Sequence, residues 1–85
     1  MTLGRAERII LNKYPTEQPI SVVDWDKYYV FNSVPKDTDK NADGRILKPL
    51  RAVLKDTGKV IVFNPLHHGG PGYAKAVKEN IKYYV

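Results

Sequence analysis

The chain contains no cysteine. Disulfide bracing and thiolate metal sites are therefore excluded. The absence fits a reducing compartment. Long hydrophobic runs are missing as well. Nothing approaches the roughly 18 consecutive apolar residues that a membrane-spanning helix needs, and Val60 to Phe63 has only the length of a strand. Arg5 and Arg8 precede no apolar run long enough for a signal peptide. The expectation is a cytoplasmic protein, or a mature domain already processed. Catalytic spacings are also lacking. Ser21 and Ser33 have no histidine near them in sequence, and there is no HExxH pattern. The only Gly-rich stretch lacks the Lys-Ser/Thr pair of a phosphate-binding loop. The chain is therefore expected not to be an enzyme.

What is present fits one α+β domain spanning residues 1–85. A chain of this length buries only about 60% of the surface its unfolded form exposes, so its core is thin. The net charge is +5, from 14 basic and nine acidic residues. That surplus favours solubility and acidic partners or nucleic acid. The basic residues are spread along the chain with no block of five, a pattern of a solvated surface.

Leu3, Ala6, Ile10 and Tyr14 recur at helical spacing, which predicts a helix from about Leu3 to Lys13. Thr2 can cap it, and Pro15 disfavours helical geometry at Tyr14 and stops it. Ile20 to Asp24 reads as a short strand. Tyr28 to Val34 reads as a second strand with large side chains on both faces, hence central, with packing on each side. Asp24 to Lys27 is the turn or bulge between them, and Lys36 to Pro49 is a long polar loop. Leu50 to Phe63 alternates around Lys55-Asp56-Thr57-Gly58-Lys59 and predicts a β-hairpin. Asn64 to Gly72 is a loop rich in Pro and Gly. Pro71 or Gly72 then opens a helix with Tyr73, Val77, Ile81 and Tyr84 on one stripe, although Ile81 to Val85 could instead be a final strand. The expected architecture is an N-terminal helix, a three- to four-stranded antiparallel sheet and a C-terminal helix, packed as two layers.

The most specific motif is Asp39-Lys40-Asn41-Ala42-Asp43-Gly44-Arg45-Ile46. It resembles the first eight positions of an EF-hand loop. Asp39, Asn41 and Asp43 would offer side-chain oxygens, and Arg45 its carbonyl. Leu50 stands where the closing glutamate belongs, and Pro49 precedes it. A looser calcium loop, with Asp37 as an outside ligand, is the version that survives. Asp, Asn and Gly are also ordinary loop formers, and apart from this calcium no cofactor is expected.

Three other constellations have ordinary explanations beside functional ones. His67-His68-Gly69-Gly70-Pro71-Gly72 could hold an anion at a helix start, but it also suits a plain helix-entry loop. Asp24 and Asp26 flank Trp25 and could perturb each other's ionisation, or simply form a solvated rim. Aromatic residues are plentiful. Beside Lys27, Arg51 and Lys59 some could stack on single-stranded nucleic acid, whereas core packing and protein interfaces use the same residue types.

The order of elements resembles the bacterial immunity protein 35 family. In that family an N-terminal helix precedes an aromatic strand, a hairpin with a Lys-Asp-x-Gly turn and a short C-terminal helix. The corresponding stretches here are Trp25 to Phe31, Ala52 to Val62 with Lys55-Asp56-Thr57-Gly58, and Gly72 to Asn80. The resemblance implies neutralisation of a toxin by protein binding, without catalysis, and transfers no individual site residue. The leading expectation is a non-catalytic protein-binding module of an immunity or phage-associated kind. Its first contact candidates are Trp25, Tyr29 and the loop from Asp37 to Arg45. Nucleic-acid binding through Lys27, Arg51 and Lys59 is the alternative, and calcium binding the third.

Overall fold

Thr2 starts the first helix, its hydroxyl accepting the Arg5 N–H at 3.3 Å. The computed structural model describes residues 1–36 and 50–84. Helix α1 spans Leu3–Lys13, and strands β1 and β2 span Glu17–Trp25 and Tyr28–Pro35. Strands β3 and β4 span Leu50–Leu54 and Val60–Phe63. The one-turn helix α2 covers Pro65–His68, helix α3 covers Pro71–Glu79, and strand β5 covers Ile81–Tyr83. The strands form one antiparallel sheet in the order β4-β3-β2-β1-β5.

The α+β architecture expected from the sequence is present, with a larger sheet. The fifth strand is the C-terminal segment. Ile81 and Tyr84 do not continue the stripe of the last helix, which ends at Asn80. Ile81–Tyr83 instead pairs with Ser21–Val23. β1 begins at Glu17, earlier than the alternation of Ile20 to Asp24 suggests. The early residues pair with β2 across a register shift between Pro19 and Ser21. Pro19 has no N–H to give a ladder, and a bulge tolerates that loss. The Leu50–Phe63 hairpin forms as expected. Gly58 sits in its turn at φ +75°, and a Cβ there would stand 3.3 Å from both Ile9 and Met1.

The layering corrects the two-layer expectation. Ala6 and Ile10 of α1 pack on Val22, Tyr29, Phe31 and Val53. Ala76 of α3 packs with Val23, Tyr28, Val30, Ala52 and Phe63. These two sets lie on opposite faces of the sheet, since successive strand residues point opposite ways. The helices therefore cover different faces, giving three layers. The cause is visible in β2, where Tyr29 and Phe31 face α1 while Tyr28 and Val30 face α3. Both faces are apolar, so each needs a cover.

Candidate functional site

The two faces carry different chemistry at their margins. On the α1 face the margin is tied by polar clamps. Arg51 of β3 pairs with Glu17 of β1, both side chains nearly buried. Its guanidinium carbon lies 3.6 Å from the centre of the Tyr14 ring. A buried ion pair of this kind holds its elements in register, and the stacked ring covers the cation's flat face. Glu7 of α1 accepts the Tyr84 hydroxyl, with Lys82 4.0 Å away. Burial raises the Tyr84 pKa above the usual phenol range, and the Glu7 hydrogen bond and charge raise it further.

On the α3 face the margin is an aromatic cluster. Trp25 stacks on Tyr28 at 5.9 Å and 16°. Tyr73 of α3 meets Trp25 edge-on at 5.5 Å and Phe63 at 4.9 Å. His68 lies nearly parallel to Phe63 at 5.5 Å. Pairs of this geometry add about 0.5–1.5 kcal/mol each beyond area burial. Trp25 and Tyr73 are half-buried, so this cluster reaches the surface. Burial also raises the Tyr73 pKa above the ordinary phenol value.

A short segment is mounted on that cluster. Asn64 ends β4 and caps α2, its side-chain oxygen accepting the Leu66 N–H at 2.9 Å. The Asn64 N–H in turn donates to Nδ1 of His68 at 3.0 Å. Gly69 closes the turn where a Cβ would stand 2.7 Å from the Pro65 carbonyl oxygen. Cap, ring stack and glycine together hold one turn of helix in place. That turn presents Leu66, which is 93% exposed.

The residues expected to form sites fall in different places. Trp25 is a member of the aromatic cluster and half-buried. Tyr29 is only 7% exposed and donates its hydroxyl to the Met1 carbonyl at 3.3 Å. Its ring belongs to the core on the α1 side of the sheet. Tyr29 and Trp25 sit on opposite faces because strand side chains alternate. Asp37, Asp39, Asn41, Asp43 and Arg45 lie outside the described residues, and with them the calcium loop.

The proposed basic trio does not form a patch either. Arg51 is held by Glu17 and Tyr14. Lys27 and Lys59 lie in the two turns at one end of the sheet, joined by the Lys55 N–H to Lys27 carbonyl bond at 2.9 Å. That end also carries Asp24, Asp26 and Asp56, with Asp24 paired to Lys55. Three lysines and three aspartates offset one another there. Asp26 itself adopts φ +51°, a left-handed turn conformation that aspartate tolerates. Asp24 and His68 are on opposite faces of the sheet and cannot act on one substrate atom. Among the described residues, no three His, Asp or Glu side chains converge as a metal would need.

Leu66 is the residue that sequence reasoning passed over. Its signal was slight: one leucine between Pro65 and His67, inside a stretch otherwise typical of a loop. No protein-family model, curated protein or solved structure matches the chain. Among the described residues, no helix is long and apolar enough to cross a membrane.

Proposed function

We propose that this chain is a small non-catalytic protein-binding module whose contact surface is the α3 face at the Leu66 mount. The exposure of Leu66 on a fixed one-turn helix carries this proposal. Single exposed apolar residues are common on protein surfaces. Leu66 differs because capping, stacking and a close-packed glycine hold it outward, so little ordering remains to be done on binding. Half-buried Trp25 and Tyr73 flank the same face, and such rings are typical anchors of protein interfaces. An immunity-type role, as the family resemblance implies, needs only such a surface. The test is capture of protein partners from the source cells by the wild-type chain and by Leu66→Asp. Loss of the retained partner with Leu66→Asp, with the fold intact by circular dichroism, supports the proposal. An unchanged retained set contradicts it.

Nucleic-acid binding is the second reading, moved from Lys27, Arg51 and Lys59 to α1. Arg5, Arg8 and Asn12 lie along the outer face of α1, exposed to solvent. Glu7, the one acid on that helix, turns away to Tyr84. Phosphate contacts made by this stripe would weaken steeply with salt. A gel shift at about 50 mM salt checks it, because counterion release makes such binding strongest there. No retarded band under that condition removes this reading.

A further inference from the structure

The sheet has two outer strands, and their backbone phase can be read from flanking hydrogen bonds. The Leu54 N–H donates to the Lys59 carbonyl at 2.9 Å. Antiparallel ladders alternate between hydrogen-bonded and non-bonded pairs. Ala52–Ile61 and Leu50–Phe63 are then bonded pairs, and Val60 and Val62 turn their N–H and C=O groups outward. The same reasoning applies to β5. Asp24 donates to the Asn80 carbonyl at 3.3 Å, and Tyr84 donates to the Ile20 carbonyl at 2.9 Å. Lys82 therefore faces β1, and Ile81 and Tyr83 turn their backbone groups outward.

We infer that β4 is a self-association edge, and that its occupant is β4 of a second copy of this chain, paired antiparallel about Ile61. In that arrangement Val60 of each copy exchanges hydrogen bonds with Val62 of the other, giving four bonds across the edge. Ile61 meets Ile61 at the two-fold axis, and Lys59 meets Phe63. No like charges oppose each other directly, although each chain carries +5. The β4 sequence Val-Ile-Val-Phe contains neither charge nor proline, two of the devices that guard an edge, and its only protection of that kind is its shortness. Val62 adds a side chain that is 60% exposed. The same operation at β5 would place Lys82 against Lys82 in a non-bonded pair, where side chains approach most closely. Among the described residues, β5 is thus guarded by charge and β4 is not. Among the described residues, β4 pairs only with β3.

An edge of four residues makes a small interface, so the dimer is weak and concentration-dependent. Its formation strengthens with salt, because screening relieves repulsion between two positive chains. This sign is opposite to that of nucleic-acid binding or of an acidic partner. The inference does not depend on Leu66: Leu66→Asp leaves the backbone edge in place.

Sedimentation velocity from about 10 μM to about 1 mM, a range that spans weak association, is the first test. The sedimentation coefficient should rise with concentration, and more so at high salt. Val62→Lys should weaken association by about tenfold or more. Lys82→Ile, which removes the guard on β5, should produce species larger than a dimer. Amide NMR of the wild-type chain gives an answer that requires no variant. Val60 and Val62 amides should shift with concentration, while those of Ile61 and Phe63, bonded to β3, stay. A monomer across the whole range overturns the inference, as do concentration-dependent shifts confined to Ile81 and Tyr83.

Discussion

The two faces of the sheet are built from similar side chains and finished differently. On the α1 face the apolar centre is closed by salt bridges and hydrogen bonds. Arg51 reaches Glu17 under the Tyr14 ring, and Glu7 reaches Tyr84 near Lys82. On the α3 face the centre runs out into Trp25, Tyr73 and His68, among the described residues without an ion pair, and then into the exposed Leu66. The first finish uses polar groups to lock one element to another. The second leaves aromatic surface partly wet, on a mount that does not need it wet to be stable. That partly exposed apolar surface is what supports the proposed contact face.

Substitutions on each face test this difference. Phe31 is fully buried at the centre of the α1 face. Phe31→Ala should cost about 3–5 kcal/mol, a large share of the about 5–15 kcal/mol by which small domains are stable. Urea denaturation measures this. Arg51→Ala should cost about 3 kcal/mol, because it strands the nearly buried Glu17 carboxylate. Adding Glu17→Gln should recover part of that loss. On the other face, Trp25→Ala should cost about 2 kcal/mol, less than a fully buried aromatic ring, because Trp25 is half-buried. It should also weaken partner binding. If Trp25→Ala destabilised as much as Phe31→Ala, the two faces would not differ in the way described.

The smallest effect is in alkaline stability. The folded state holds the Tyr84 proton more tightly than the unfolded chain, whose tyrosines titrate near the ordinary value of 10.0. The contribution is complete below that pH. It declines above it, because the unfolded state then loses a proton that the folded state keeps. Thermal melts should fall more steeply above about pH 10 for the wild-type chain than for Tyr84→Phe. Equal slopes would show that the Glu7–Tyr84 clamp does not hold.

Much of this architecture is legible from the chain. The α1 boundaries follow from Thr2, the Leu3–Ala6–Ile10 stripe and Pro15. The β3–β4 hairpin follows from alternation around Gly58. The large residues on both faces of Tyr28–Val34 already indicate cover on each side, but local patterns do not say which helix covers which face. The end of α3 was not legible for a related reason. Tyr73, Val77, Ile81 and Tyr84 keep helical spacing through Asn80, and only pairing with Ser21–Val23, distant in sequence, converts the last part to strand. The proposed contact surface is less legible than the fold. Trp25 and Tyr29 look equivalent in sequence, yet alternation sends them to opposite faces. Leu66 carries no periodic signal, because its exposure comes from the Asn64 cap and the Phe63–His68 stack.

The most direct measurement compares partner capture by three forms of the chain: wild type, Leu66→Asp, and a variant with Arg5 and Arg8 both changed to alanine. Substitution at an exposed position should change stability by no more than about 0.5 kcal/mol, so all three should fold alike. A protein retained by the wild-type chain and by the arginine variant, and lost with Leu66→Asp, is the predicted result. Retention that follows the arginines and ignores Leu66, or retention of nucleic acid alone, would contradict it.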